Sequence, residues 1–453
     1  MRDLAFVFFL LALFGLGLRR PFLLVLAYAY VDIVTPHRLA YHLLNGIPIS
    51  MIVASAAIGG WLILDNKKHF SLAPRQGLMA VLLGYCYFTT IYADFPVEAL
   101  EKWNWVWKAV FWAAFLPLTL RTKLRIEAHL LVIVLSAAAI IIVGGIKTLL
   151  SGGGYGALNL MVDNNSGLYE SSQISTVAIA LVPIILWLAR FGTIFPRDRR
   201  VQIFACGLIF ACLLIPVGTE ARTGLVCIAV LAILMLRDVK RRLVYIALIG
   251  ALSIAVIPML PSSFTSRMET IGKYQGDQSA STRLVIWGWT WNYAKEHPLG
   301  GGFEAYRQNK LRVQTVSESG EGPVQIVDAQ LLEDQGRAYH SSYFEMLGEQ
   351  GFPGLILFLL IHGIGLLRME VLRRRYFREE GDRAWISPLA TALQSAQIIY
   401  LVGSLFVGIA YQPVIWMLLA VQIGLDTVVA RQAKNALAER SWAKKPVAAP
   451  VSI

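Results

Sequence analysis

The sequence predicts an all-α, polytopic membrane protein of about 12 transmembrane helices, with one large loop subdomain outside the bilayer. Three observations predict it. Of the 453 residues, 56% are hydrophobic and only 15% are charged. The apolar residues come in blocks of roughly 15 to 22 separated by short polar stretches, a length that spans hydrocarbon. Lys and Arg collect in alternate connections, as they do where short inner loops carry the positive excess. Within lipid, backbone N–H and C=O groups must pair inside their own segment, so these blocks are helices rather than open sheet.

Taken in order, the candidate spans run near 4–18, 21–35, 47–64, 77–92, 105–120, 129–150, 173–189, 201–217, 224–236, 242–260, 351–367, 386–410 and 412–430. The first block, "LAFVFFLLALFGLGLRRPF", has no basic leader and no small-residue cleavage site, so it reads as a retained helix. The connections "NKKHFSLAPR", "RTKLRIEAH", "RFGTIFPRDRR", "RDVKRR" and "LRMEVLRRRYFREEGDR" are basic, as is the tail after Arg431. Between them, "YADFPVEALEKWN" is net acidic and "SGGGYGALNLMVDNNSGLYESSQ" holds no Lys or Arg. The net charge of +12 is therefore a topology signal rather than a nucleic-acid footprint, and no nucleic-acid partner is expected. Extended backward, the rule puts Arg19 and Arg20 inside and the N-terminus outside, an odd parity for the first two spans.

The chain divides into N-terminal membrane helices over 1–200 and membrane helices carrying an Arg-Thr-Gly turn over 201–260. A large outer loop follows over 261–350, then C-terminal membrane helices over 351–430 and a basic inner tail over 431–453. The outer loop is long: about 90 residues separate the spans around it, and loops of that length usually carry function. Within it, "SASTRLVIWGWTWNYAKEHPLGGGFEAYRQNKLR" has helix-like apolar spacing, and "AQLLEDQGRAYHSSYFEMLGEQG" reads as another helix feeding the next span. Cys86, Cys206, Cys212 and Cys227 lie in apolar spans and read as small core residues, not as a disulfide or metal frame.

"VGTEARTGLVC" puts Glu220 and Arg222 in a tight turn between two apolar segments on the outer face. A charge at the bilayer centre costs about 2.5–3.5 kcal/mol on insertion scales, so Arg222 belongs at the interface or beside an anion. The next helix begins at Thr223 or Gly224, and its free N–H groups and positive dipole end lie beside Arg222. Guanidinium plus helix N-terminus suits a lipid phosphate or diphosphate, and a plain headgroup-layer hairpin is the bland alternative. Arg283 follows "SAST", where Ser281 or Thr282 would cap a helix carrying it in the first turn; the alternative is a surface arginine. His340, just ahead of an amphipathic stretch, is either a buried structural residue or a base with a pKa of about 6.5.

Taken together, Arg222 in "RTG", Arg283 in "STR", the "HPLGGG" stretch and His340 in "HSSYFEMLGEQGFPG" resemble the domain shared by O-antigen ligases and O-antigen polymerases. "MRDL", "RRPF" and "PHRLAY" resemble the exosortase A-associated branch of O-glycosylation ligases. The resemblance implies a GT-C-type inner-membrane glycosyltransferase whose loop subdomain is periplasmic. It also implies an undecaprenyl-diphosphate-linked glycan as donor, a lipid A-core sugar or other glycan acceptor, and Arg222, Arg283 and His340 as the essential residues. Two arginines facing a departing diphosphate can do the work of a divalent ion, so neither metal nor cofactor is expected. No Asp-x-Asp stands on the outer face, and Glu333–Asp334 is a lone pair in a solvated loop. Arg337 is a further phosphate contact on this reading, and Glu220 either orients Arg222, lines the acceptor pocket or is an exposed turn carboxylate. His37, Arg38 and His42 either line the donor's path or sit at a helix end, and Trp103, Trp105 and Trp107 read as an aromatic belt or a sugar platform. Ligase and polymerase share this donor chemistry, and transfer to protein is a third outcome. A flippase for lipid-linked oligosaccharide would instead line a central cavity with charge, whereas here the distinctive charges gather at one face.

Overall fold

The structure, a computed structural model, describes residues 2–36, 43–44, 46–65, 67, 72–151, 168, 170–237, 241–244, 247, 278–319 and 326–443. Its helices in chain order are α1 (Arg2–Arg19), α2 (Phe22–Val34), α3 (Ile49–Leu64), α4 (Pro74–Ile91), α5 (Pro96–Phe115), α6 (Lys123–Ser151) and α7 (Ser171–Phe191). Then come α8 (Arg199–Gly218), α9 (Arg222–Met235), α10 (Gln278–Glu296), the strands β1 (Lys310–Ser319) and β2 (Ile326–Gln335), α11 (Ser342–Arg375), α12 (Ile386–Gly403) and α13 (Pro413–Ala443). Six of them, α6, α7, α8, α11, α12 and α13, are long and apolar enough to cross a membrane, and α2, α3 and α9 are shorter apolar helices. The chain is thus a multi-pass membrane protein, with six such helices among the described residues where the sequence predicts about 12 over the whole chain. The expected span 242–260 lies largely outside the described residues, as does the loop start at 261–277.

Helix α7 is the central post. Residues 174–185 are buried without interruption, the signature of a helix apolar all round, and it packs against α6, α8, α9 and α12. Around it α11 packs on α4 and α12, α5 on α4 and α13, and α2 on α3 and α6. Three of the four cysteines, all free, are buried in this packing.

One end of the bundle is held by arginine–carboxylate pairs. Arg75 donates to Gln422 (3.1 Å) and Asp426 (2.8 Å), Arg125 to Asp65 (2.7 Å), and Arg237 to Glu370 (2.8 Å). Glu127 accepts from the Thr193 hydroxyl (2.7 Å) and the Ile194 N–H (2.7 Å). This is the end to which the basic connections run.

The opposite end departs from the sequence reading in three ways. In a chain otherwise helical, the helix expected over "AQLLEDQ" is a strand: β1 and β2 pair antiparallel from Lys310↔Gln335 to Ser319↔Ile326. A leucine pair and a run of polar residues in "AQLLEDQ" suit a helix face, but pairing with the β-branched "VQTV" satisfies the backbone of both segments. Helix α10 begins at Gln278, so Ser281 and Thr282 lie inside it rather than capping it, and Arg283 sits beyond the first turn. The expected span 386–410 ends at Gly403, because the following segment turns back and gives its backbone to α11.

Helix α11 starts at Ser342, ahead of the expected 351, and breaks at Gly351 (φ 61°, ψ −166°). The break frees carbonyls that the glycine loop at 300–302 collects: Gly301 N–H donates to Gly348 O (3.1 Å) and Gly302 N–H to Glu349 O (2.9 Å). The loop comes so close that a Cβ on Gly300 would lie 2.5 Å from Glu349 O. This is why "HPLGGG" needs its glycines.

Candidate active site

The Arg-Thr-Gly turn is built by two helix ends. Helix α8 closes with Ala221 N–H donating to Pro216 O (3.1 Å) and Glu220 N–H to Val217 O (3.2 Å), a paired C-terminal cap that places Glu220 in the left-handed region (φ 52°). Glycine usually fills that position, and a side chain there costs about 1 kcal/mol or more. Glu220 thus occupies a position whose backbone the cap dictates. Arg222 then opens α9 with Ala221 as N-cap, and both Glu220 and Arg222 are half-buried. Gly224 is forced by packing, since a Cβ there would meet Pro216 Cβ at 2.6 Å and Ser175 Cβ at 2.8 Å. The helix therefore begins one residue earlier than expected, and Gly224 lets it close on α7 and α8.

Ser175 ties the same turn to α7 through a hydroxyl–hydroxyl bond to Thr219 (3.0 Å). Five residues earlier, about 7.5 Å along the helix axis, Glu170 caps α7 by accepting from Gln173 N–H (3.0 Å) and Ser172 N–H (3.3 Å). Burial pushes the Glu170 carboxyl above its usual range, against the pull of those two N–H groups and of Arg283. The first turns of α7 therefore touch the Arg222 turn through Ser175 and carry, at Glu170, a carboxyl that feels the charge of Arg283.

His340 also feels the charge of Arg283. Asn309, fully buried at the foot of the hairpin, donates to Arg337 O (2.7 Å) and accepts from Arg337 N–H (3.0 Å), and its own carbonyl accepts from Gly336 N–H (3.0 Å). Trp287, one turn beyond Arg283 on α10, donates its indole N–H to Tyr339 O (2.9 Å) and stacks on Phe344 at 4.9 Å. Held between these anchors, His340 adopts φ 49°, a left-handed backbone for a residue with a side chain. His340 and Arg337 are exposed, Arg283 half-buried. Partial desolvation, then the positive fields of Arg283 and Arg337, hold the imidazole below its usual pKa, so it stays neutral and proton-accepting to lower pH.

The structure thus gathers Arg283, Arg337 and His340, and links them through α7 to the turn bearing Glu220 and Arg222. Arg38, with His37 and His42, lies outside the described residues. Trp103 packs toward Tyr87 (5.6 Å) and Phe303 (6.5 Å), Trp107 toward Phe111 (6.2 Å), and Trp105 is exposed.

Sequence reasoning passed over two features. Glu170 was readable as a cap in "YESSQ" but stood in a connection noted only for lacking basic residues. Lys102 joins Glu345 (2.7 Å) and Glu349 (2.8 Å) in a buried cluster beneath His340. The i, i+4 spacing of the two glutamates in an apolar stretch was its only sequence signal, and their partner is more than 240 residues away.

The two regions that build this site match different family models. Residues 207–359 match one described as O-Antigen ligase, and residues 1–193 match one described as a family of unknown function (DUF5935). No curated protein matches the chain. The first region carries Arg222, Arg283, Arg337 and His340, and the second supplies Lys102 and Glu170.

Proposed function

We propose, for a chain whose residues 207–359 match a family model described as O-Antigen ligase, that it transfers a glycan from undecaprenyl diphosphate to an acceptor hydroxyl, the lipid A-core sugar being the first acceptor to test. Its site faces the periplasm of the bacterial inner membrane on this reading, and the helical bundle is of the GT-C type. The observation that carries the proposal is His340 in a left-handed backbone anchored by Trp287 and Asn309, where the charges of Arg283 and Arg337 reach its imidazole.

The chemistry follows from the groups present. His340 takes the proton of the acceptor hydroxyl as its oxygen attacks the anomeric carbon. The bond from that carbon to the diphosphate oxygen breaks on the opposite face, inverting the configuration. The electron pair leaves on the diphosphate, whose growing charge Arg222 and Arg283 neutralise, with Arg337 and the N-terminus of α9 adding to the field. Glu220 and Arg38 complete the proposed binding set. No step calls for a metal.

The test is reconstitution of the purified full chain with lipid-linked glycan and lipid A-core, with and without chelator. Glycan on lipid A-core under chelation supports the proposal. Elongated lipid-linked glycan makes the protein a polymerase, glycan on protein makes it a protein O-oligosaccharyltransferase, and translocation without transfer makes it a flippase.

A further inference from the structure

The amino group of Lys102, on α5, touches two carboxylates of α11: Glu345 at 2.7 Å, and both oxygens of Glu349 at 2.8 and 3.0 Å. Glu349 is fully buried and Glu345 nearly so. Such a cluster is expensive to assemble in a place without water, and it is weak evidence for stability as such. Its position suggests what it does instead.

Each carboxylate has a second task. Glu349 accepts the N–H of Glu304 (3.1 Å), which holds the end of the glycine loop in a left-handed turn at φ 65°. Glu345 accepts the N–H of Ala410 (3.2 Å), in the segment after α12. That segment also takes hold of Ser342: Ser342 N–H donates to Ser404 O (2.8 Å), its hydroxyl donates to Val407 O (3.0 Å), and Ile409 N–H donates to that hydroxyl (2.9 Å). The ring of Tyr339, next to His340, lies on Gly348, where a Cβ would sit 2.4 Å from the Tyr339 hydroxyl oxygen. Lys102 thus joins α5 to both glutamates of the arm that runs from Tyr339 to Glu349 and carries His340 at its start.

We infer that Lys102 is a positioning residue for the transfer reaction: through Glu345 and Glu349 it fixes the 339–349 arm so that His340 stays between Arg283 and Arg337. This rests on the transfer reading above. Lys102 touches no reacting atom, and the donor's anion site at Arg222 and Arg283 is built on other helices. Loss of Lys102 should therefore slow the chemical step and leave donor binding alone. It should also let His340 drift from the two arginines, the charged groups whose fields reach it from α10 and from its own loop, and so return its pKa toward the ordinary imidazole value.

The experiment compares full-length wild type, Lys102→Met, Lys102→Arg and Glu349→Gln in nanodiscs, after size-exclusion and melting checks. Binding is read with a glycan-free polyprenyl diphosphate, and initial transfer rates are read from pH 5 to 9. For Lys102→Met we expect affinity for the diphosphate within about twofold of wild type and kcat down about tenfold or more, with the acidic limb of kcat moved to higher pH and part of the rate restored by Lys102→Arg. If Lys102→Met does not fold, Glu349→Gln, which keeps the side chain's shape, is read for the same quantities. A folded variant with unchanged kcat overturns the inference, and so does one that loses rate with an unmoved pH limb. Absence of transfer by wild type refutes the transfer reading itself, whereas an active wild type with unaffected variants refutes only the role of Lys102.

Discussion

The guanidinium of Arg283 on α10 acts on the imidazole of His340, although the whole β-hairpin lies between them in the chain. Partial desolvation contributes most to keeping His340 neutral, Arg283 next and Arg337 after it. If neutral His340 is the base, the rate falls as pH drops through its lowered pKa. Arg337→Gln removes one positive field, raises that pKa and moves the acidic limb of the kcat profile to higher pH. A limb that stays in place or moves to lower pH contradicts the arrangement.

His340→Ala should abolish transfer while leaving affinity for a polyprenyl diphosphate within about twofold, because the proposed anion contacts are arginines and not the imidazole. Removing a general base typically costs about 10²–10⁴-fold in rate. Isothermal titration against the diphosphate and product analysis of the same preparation separate the two. Wild-type turnover in the alanine variant removes His340 from the mechanism.

Much of this was legible in the sequence because lipid imposes simple rules. Among the described residues, most apolar blocks are helices near the expected places, and the charged turn at 220–222 falls between two of them. Hidden from sequence were the features fixed by distant partners. Lys102 has no local reason to matter until Glu345 and Glu349 are brought to it, and Glu170 feels the charge of Arg283 only once the chain has folded. The hairpin escaped because its second strand carries a helix-like leucine pair, and pairing across a turn outweighed that local preference. The start of α10 was misplaced because Ser and Thr are good caps but tolerable interior residues.

Gly224→Ala tests the closeness of α9 to its neighbours. The new methyl would meet Pro216 and Ser175 at under 3 Å, and both are anchored in helices, so the packing must shift. Overpacking of this kind costs about 1–3 kcal/mol. A melting temperature equal to that of wild type in the same detergent would show that the turn is looser than described.

Arg222→Lys keeps the charge and loses the planar fork that, on the proposed reading, would take two diphosphate oxygens. We expect weaker diphosphate binding and transfer down by about 10²-fold, within the range seen when one charge-stabilising donor is lost. Titration of the diphosphate gives the binding part and kcat the rest. Equal behaviour of lysine and arginine would mean that Arg222 acts as a simple positive charge at the interface.

Glu220 separates backbone from side chain most cleanly. Its φ of 52° is imposed by the cap that ends α8, through Glu220 N–H to Val217 O and Ala221 N–H to Pro216 O. Glu220→Gln removes the charge and keeps the strained backbone, whereas Glu220→Gly removes the charge and relaxes the backbone. Glycine tolerates this region freely, so the glycine variant should be about 1 kcal/mol more stable than the glutamine variant. Melting curves of the two proteins in one detergent measure the difference, and glutamine at or above glycine in stability would mean that the left-handed turn is not what the position requires. Because both variants lack the carboxylate, an equal loss of transfer in both assigns Glu220 a part in binding, and full transfer in both leaves it the cap alone.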